Sequence, residues 1–343
     1  MRRVRIVLYG VGVVGGLIAK FLLQKEGVEI VGAIDTDENK VDKDLGEVLN
    51  LQKRIGIKVL KDADMVLEST KPDVAVHATS SFLKDTYPQI VTIVRKGVNV
   101  VSTCEELSYP YSVDPKLSAE LDSLAKKHDV TVLGTGVNPG FLMDTLVITL
   151  TAPCQRVDKI EATRVMNAAT RRLPFQKKIG AGLAVQEFKK KIDGGAITGH
   201  VGLEQSIRMI AEALKWKLER VIVEPAEAVL AEKSTASESI RVRAGDAAGL
   251  RQKARGMMNG KEVITLDFHA YIGAEEEYDS VEITGVPNVK EKIQPCVHGD
   301  AATIAMVVNM IPRVINAEPG LVTMKDLPVP SAATEDMRKY VSL

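Results

Sequence analysis

The strongest constraint on this chain is a turn it has to make close to its N-terminus. An apolar run at 5–9 passes directly into Gly10-Val11-Gly12-Val13-Val14-Gly15. A helix-like segment follows to about Leu23, and a second apolar run, 29–34, ends on Asp35. A strand that enters G-x-G-x-x-G and leaves as a helix is committed to a β-α-β unit, because each glycine has its own steric task. Gly10 permits the tight turn, Gly12 leaves room for a pyrophosphate against the backbone, and Gly15 lets helix and strand pack closely. The first N–H groups of the helix, around Gly12, Val13 and Val14, have no intrahelical acceptor and offer the positive end of the helix dipole to an anion. Asp35, twenty residues beyond the last glycine, stands where a carboxylate accepts hydrogen bonds from an adenosine ribose. Strand, turn, helix and acid together point to a bound dinucleotide. A carboxylate at that place repels a 2′-phosphate, so NAD is the expected cofactor. Thr36 and Lys40 are close enough in sequence to soften the exclusion and leave NADP open.

At 343 residues the chain exceeds one ordinary core. Its formal net charge is zero, which removes the electrostatic case for nucleic acid or an anionic membrane as partner. No apolar run approaches the ~18 residues of a membrane span. The basic start, Arg2-Arg3-Val4-Arg5, resembles a signal-peptide head, but glycines of the turn interrupt the apolar run that follows, and that reading is rejected. Cys104, Cys154 and Cys296 are odd in number and scattered, so a disulfide framework is not expected and a cytoplasmic location is. No Cys or His spacing suits a metal.

Along the first part, strands alternate with helices, the pattern of a parallel sheet covered on both faces. After Asp35 the strands are placed at 58–60, 73–78, 99–103 and 130–133, with helices at about 84–96 and 115–128 between them. A further helix is expected over 143–150, with Pro139 and Gly140 at its entry. From about Ala152 the pattern changes to strands at 157–166, 219–227, 238–244, 261–271 and 279–285, with helices at 182–193 and 203–216. The fold class is therefore α/β: a Rossmann-type doubly wound parallel sheet with a second α+β domain on a mostly antiparallel sheet. The segments are 1–150 for the dinucleotide domain, 151–298 for a substrate and dimerisation domain, and 299–343 for a C-terminal helix and extended tail that return to the first domain.

Ligands of open α/β sheets lie beyond the carboxyl ends of the strands. Thr79, Ser80 and Ser81 fall there and are candidate cofactor contacts, although hydroxyl residues also favour helix caps. Cys104, Glu105 and Glu106 follow the next strand, Cys104 as a further candidate cofactor contact. Adjacent carboxylates repel, which suits one of them to accept or donate a proton; strand alternation does not choose between them, and Glu105 is slightly preferred. Asn138, Pro139, Gly140 and Phe141 open the next segment, where free N–H groups at a helix entry suit a substrate carboxylate or a nicotinamide amide. In the second domain Arg164 suits carboxylate recognition, with Asn167 and His200 as further substrate contacts. The remaining histidines are read as structural.

These residues carry a family likeness that spans nearly the whole chain. The motifs are Tyr9-Gly-Val-Gly12, His77-Ala-Thr-Ser-Ser81, Ser102-Thr-Cys-Glu-Glu-Leu-Ser-Tyr-Pro110, Gly134-Thr-Gly-Val-Asn-Pro-Gly-Phe141, Gly199-His-Val-Gly202, Val308-Asn-Met-Ile-Pro312 and 319–328. The chain resembles the dihydrodipicolinate-reductase-like dehydrogenases, and within them the 2,4-diaminopentanoate dehydrogenases and related native amine dehydrogenases. The His-rich loop with Lys and Pro-Ser-Gly-Thr that marks true dihydrodipicolinate reductases is missing. The resemblance implies NAD(P)-dependent oxidative deamination of a primary amine on a short amino acid, giving 2-amino-4-oxopentanoate, ammonia and reduced cofactor, reversible as reductive amination. It implies an active-site glutamate at Glu105 or Glu106, and it places the α-amino acid end of the substrate towards Asn138, Arg164, Asn167 and His200. A homodimer is expected by analogy with sheet-rich second domains. The rival readings are a reductase of a cyclic imine or amino acid semialdehyde, which would release no ammonia, and a non-catalytic dinucleotide sensor. An acylating dehydrogenase would need a nucleophilic cysteine paired with a histidine, which nothing supports at Cys104.

Overall fold

The computed structural model describes residues 2–342, which form two compact units. The first joins the chain up to Phe141 with the chain from Gly299 onward, and the second is Leu142–His298. The helix Thr145–Thr151, assigned to the first domain from sequence, groups with the second unit.

In the first unit, β1 (Val4–Tyr9), β2 (Val28–Ile34), β3 (Val59–Leu60), β4 (Val74–His77), β5 (Asn99–Ser102) and β6 (Thr131–Gly134) are joined by a strand from the C-terminal return, Gly320–Val322. The order across the sheet is Gly320–Val322, β6, β5, β4, β1, β2, β3. Every pairing is parallel. Val4, Ile6, Val7 and Leu8 are all buried, as a strand covered on both faces requires. The strand order reverses between β1 and β4, and the crevice at such a reversal is where doubly wound sheets bind ligands. The doubly wound expectation therefore holds. The helix Gly299–Ile315 packs on the helix Val13–Leu22 and on β4, β5 and β6. One expectation fails here: residues after Pro319 were read as extended tail, yet Gly320, Leu321 and Val322 pair with Thr131, Val132 and Leu133. Three residues are too few to display a period.

The second unit is built on β7 (Arg156–Asn167), β8 (Arg220–Val223), β9 (Glu227–Leu230), β10 (Thr235–Ala236), β11 (Arg241–Val242), β12 (Ala247–Met258), β13 (Lys261–Tyr271), β14 (Tyr278–Val286) and β15 (Val289–Ile293). The main sheet runs β15, β14, β7, β13, β12, β8, with β9 also on β12, while β10 and β11 form a separate pair. All its pairings are antiparallel except β7 with β13. The long strand β12 and the short β15 escaped the sequence reading, and the single strand expected over 219–227 is two. Strand β12 is rich in Ala, Gly, Lys and Arg, which have weak strand preference. It persists because it pairs on both edges, and because Asn259 and Gly260, both at positive φ, close a two-residue hairpin into β13. Its inward residues Leu250, Gln252 and Ala254 are buried, and the helix Leu203–Ala213 packs on it.

Candidate active site

The glycine turn has the geometry its spacing implies. Gly10 has φ +92°, and a Cβ there would lie 2.4 Å from the Ala78 carbonyl oxygen; a Cβ on Gly15 would lie 2.0 Å from the Gly10 carbonyl oxygen. Both positions demand glycine for packing. At Gly12 a Cβ would meet nothing within 4 Å, so packing within the chain does not demand glycine there and the position leaves open space beside the turn. The helix Val13–Leu22 begins on Gly12 without a side-chain cap, which leaves its first N–H groups to an external acceptor. These features fit the diphosphate of a dinucleotide. Asp35 sits at the end of β2 as expected. Its Oδ2 accepts from the Val11 N–H at 2.8 Å and pairs with Lys40 Nζ at 3.2 Å, while Oδ1 accepts from the Asp37 N–H at 2.9 Å. Thr36 beside it is exposed.

The ends of β4 and β5 are tied together by a buried polar chain. The Cys104 N–H donates to Ser102 Oγ at 3.1 Å, and Ser102 Oγ lies 2.9 Å from His77 Nδ1. His77 Nε2 lies 2.7 Å from Gln89 Oε1, to which the Thr79 hydroxyl donates at 2.7 Å. Gln89 Oε1 only accepts, so His77 carries its proton on Nε2 and takes the Ser102 proton on Nδ1. Burial drives the His77 pKa down to about 4, against the opposing pull of Gln89, and the ring is neutral at physiological pH. His77 was read as structural from sequence, but the chain it holds is what orients Thr79 and the Cys104–Glu106 segment. Ser80 bonds Asp85 at 2.9 Å and receives the Phe82 N–H at 3.3 Å, and the Ser81 carbonyl accepts the Glu106 N–H at 3.1 Å. Cys104 needs correction as a cofactor contact: its side chain is buried in the apolar core against Thr86, and burial pushes the thiol up to about 11. Its backbone alone faces the strand ends.

Geometry separates the two glutamates. Glu106 Oε2 accepts the Leu83 N–H at 2.6 Å and so caps the helix Leu83–Arg95. The Glu105 carboxylate has no hydrogen bond or ion pair among the described residues; only its backbone carbonyl is engaged, by Ser108. Gly134 makes this loop possible, since a Cβ there would lie 2.4 Å from the Leu107 carbonyl carbon and 2.7 Å from the Ser108 nitrogen. The backbone of β6 thus lies flush under the turn that presents Glu105. No signal in the sequence singled out Gly134 for this.

The 134–141 loop differs from expectation. Asn138, Pro139, Gly140 and Phe141 do not open a helix: residues 138–144 are turns, and the helix begins at Thr145, capped by Asp144. Gly140, at φ +124°, lies where a Cβ would meet the Gly136 nitrogen at 2.4 Å. Within this loop the Val137 N–H donates to Thr303 Oγ1 of the C-terminal helix at 3.3 Å. Any anion contact from this loop comes from turn backbone rather than from a helix dipole.

In the second unit two expected substrate contacts have other partners. Arg164 is buried, its Nη1 is 3.1 Å from Asp279 Oδ1, and its Nη2 donates to the Val297 carbonyl. Asp279 in turn accepts the Val297 N–H at 2.8 Å. Burial lowers the Arg164 pKa and raises that of Asp279, while the pair opposes both shifts. Arg164 is therefore neutralised from within and is corrected as the main carboxylate anchor. Asn167 Oδ1 accepts from the Ala169 and Gly273 N–H groups at 3.0 and 3.1 Å, a turn-holding role rather than a ligand contact. His200 stacks on Phe268 with ring centroids 4.3 Å apart. Burial, then Lys178, Arg164 and Arg171, hold its pKa down at about 3, so it is a neutral ring beside three cations.

No helix among the described residues is long and apolar enough to cross a membrane. Residues 141–343 match the family model of the 2,4-diaminopentanoate dehydrogenase C-terminal domain, and residues 4–133 match that of the dihydrodipicolinate reductase N-terminus. The 2,4-diaminopentanoate dehydrogenase of Acetoanaerobium sticklandii is 38% identical, with 100% of this chain and 98% of that protein aligned. The amine dehydrogenase of Streptomyces virginiae is 22% identical over 94% of this chain and 96% of its own. Among solved structures, the amine dehydrogenase of Mycobacterium smegmatis superposes with a TM-score of 0.84 at 30% identity, covering 97% of this chain and 98% of that one. A dinucleotide-type turn on a doubly wound sheet, with full-length similarity to dehydrogenases, makes this chain an NAD-dependent oxidoreductase. It belongs to the 2,4-diaminopentanoate dehydrogenase family.

Proposed function

We propose that the protein oxidatively deaminates a primary amine on a short amino acid, 2,4-diaminopentanoate to 2-amino-4-oxopentanoate and ammonia, with Glu105 as the proton-transfer group. The single observation that carries the role of Glu105 is the contrast between a carboxylate without an internal partner and its neighbour, Glu106, which caps a helix. The first N–H groups after Gly12 hold the diphosphate, and Asp35 receives the ribose. When bound, the nicotinamide supplies the hydride acceptor. Glu105 takes a proton from the substrate ammonium, because only the free amine has the lone pair that drives hydride from the adjacent carbon. After the C–H bond has broken, Glu105 releases that first proton to solvent; the regenerated carboxylate then removes a proton from the water that adds to the C=N carbon and returns it to nitrogen as ammonia leaves. Thr79 and the His77 chain hold the two strand ends at a fixed separation during these transfers. A homodimer through the open face of the second sheet, where Lys253 meets Asp267 at 3.1 Å and Lys159 meets Glu161 at 2.9 Å, and a reducing cytoplasm complete the reading.

The experiment is nicotinamide absorbance at 340 nm with NAD and 2,4-diaminopentanoate, together with ammonia release, in the parent and in Glu105→Gln and Glu106→Gln. The expected loss is about 100-fold or more in kcat for Glu105→Gln. Glu106→Gln should lose mainly stability, by ~1 kcal/mol, as a weakened cap does. Cofactor reduction without ammonia would overturn the deamination, and equal losses in the two variants would overturn the assignment to Glu105.

A further inference from the structure

The second unit contains a groove that the proposed reaction does not use. It has a volume of about 860 Å3 and lies between the 182–184 loop and the hairpin of β10 and β11, with Ser234, Thr235, Arg241, Arg243 and Asp246 on its walls. That volume is within the range of small-molecule sites. Backbone hydrogen bonds tie the walls together, so the groove exists before any ligand arrives. The Gly182 N–H donates to the Ala247 carbonyl at 2.8 Å, and the Ala247 N–H to the Leu183 carbonyl at 2.9 Å. The Ala231 N–H donates to the Asp246 carbonyl at 2.9 Å, and the Gly245 N–H to the Ala231 carbonyl at 2.8 Å. Gly182, at φ +83°, lets the loop sit against the hairpin, since a Cβ there would lie 2.9 Å from Ile240 Cγ2. Arg241 and Arg243 flank the buried Val242, the alternation that sends both side chains to one face of an extended segment. Ala236 pairs opposite Arg241 and leaves its guanidinium room. Among the described residues neither guanidinium has a hydrogen bond or ion pair, and nor does the Asp246 carboxylate. By contrast, Arg208, Arg251 and Arg255 of the same unit each meet a carboxylate. The Ser234 hydroxyl accepts the Ala244 N–H at 3.3 Å, which leaves its own proton to donate.

We propose that this groove is a ligand site in its own right and that it takes an acidic α-amino acid, a molecule with two carboxylates and one ammonium. Two cations and one anion line the groove, and such a ligand carries the mirror set. The guanidinium forks of Arg241 and Arg243 match carboxylates in bidentate fashion. Asp246 takes the ammonium, and the Ser234 hydroxyl donates to a carboxylate oxygen. A phosphate ester would satisfy the arginines but meet Asp246 as a like charge. An amino acid with a single carboxylate would leave one arginine unmatched.

The test is calorimetry on the full-length protein with L-glutamate and L-aspartate. Beside them run glutarate, which lacks the ammonium, norvaline, which lacks the second carboxylate, and inorganic phosphate. Saturable binding of at least one acidic amino acid is expected, ~10-fold or more tighter than that of norvaline or phosphate, the worth of one charge-assisted contact. Arg241→Met and Arg243→Met should each weaken it by a similar factor. Asp246→Asn should weaken the amino acid and leave glutarate level or tighter. Unfolding followed by Trp216 fluorescence, which reports on this unit, should be unchanged in all three variants and shows that they fold. The proposal is overturned if neither acidic amino acid binds saturably, or if binding survives both arginine substitutions, which would put the ligand elsewhere. Phosphate bound as tightly as the amino acid, or an Asp246→Asn protein that loses glutarate and amino acid equally, would overturn the ligand class. None of these outcomes depends on whether the chain deaminates 2,4-diaminopentanoate.

Discussion

His77 should make the first unit acid-labile by a definite amount. Its ring is completely buried at the end of β4, with the proton on Nε2 directed to Gln89 and Nδ1 receiving the Ser102 hydroxyl. Burial lowers its pKa from 6.5 to about 4. The sign follows from proton uptake. Between those values the unfolded chain binds a proton that the folded chain refuses, so the stabilisation is fully present above pH 6.5 and is lost as the pH falls towards 4. At 1.36 kcal/mol per pH unit the whole window amounts to about 3 kcal/mol, of which about 2 kcal/mol is lost between pH 7 and pH 4.5. The informative substitution is His77→Gln, which retains one donor and one acceptor but cannot titrate. Tryptophan fluorescence is blind to this unit, because the single tryptophan, Trp216, lies in the second. The suitable assay is hydrogen exchange on peptides covering β4 and β5, corrected for intrinsic rates, at pH 7 and pH 4.5. The parent should lose about 2 kcal/mol more local stability over this interval than His77→Gln. Equal losses in the two proteins would refute the reasoning, since the acid sensitivity would then lie with other groups.

Further outcomes follow from the same geometry. Gly12→Ala should fold with unchanged thermal stability, because its Cβ meets nothing, yet bind NADH more weakly in a fluorescence titration. Gly15→Ala should instead lower the melting temperature, because its Cβ lands on the Gly10 carbonyl oxygen. Gly134→Ala should displace the turn presenting Glu105, so that kcat falls while NADH affinity stays within a few-fold; a wild-type kcat would show that the close approach to Leu107 and Ser108 does not matter. Arg164→Met should destabilise the second unit by about 3–5 kcal/mol, because Asp279 is left as an unpaired buried carboxylate. Removing Asp279 in the same protein, as Arg164→Met with Asp279→Leu, should recover most of this in urea unfolding followed by Trp216 fluorescence.

Much of the first unit was written in local order. Its strands are buried on both faces, so each is a short apolar run that stands out between polar helices, and the glycine spacing dictated where β1 turns. Asp35, the Glu105–Glu106 pair and the Thr79–Ser81 turn were all identifiable as strand-end residues for that reason. The second unit was harder. Strand β12 carries Arg251, Lys253 and Arg255 on one face and Gln252 and Gly256 on the other, a composition that signals no strand. It exists because β8, β9 and β13 supply its hydrogen bonds. The Asn259-Gly260 turn was the local cue that could have revealed it.

The chain alone therefore determined the class of ligand and the positions from which chemistry must come, since turn stereochemistry and strand ends are local properties. Which side chains are available for that chemistry was decided by tertiary contacts. Glu105 and Glu106 are equivalent as letters, and only the Leu83 N–H, at the start of the preceding helix, separates the cap from the carboxylate left without a partner. Arg164 has the chemistry of a carboxylate anchor until β14 places Asp279 beside it, and Asn167 has that of a ligand contact until the 273 loop closes on it. Availability depends on whether a group's hydrogen bonds and charge are already satisfied, and the partners that satisfy them are 23 residues away for Glu106 and 106 for Asn167. Sequence periodicity does not reach across such separations; packing does.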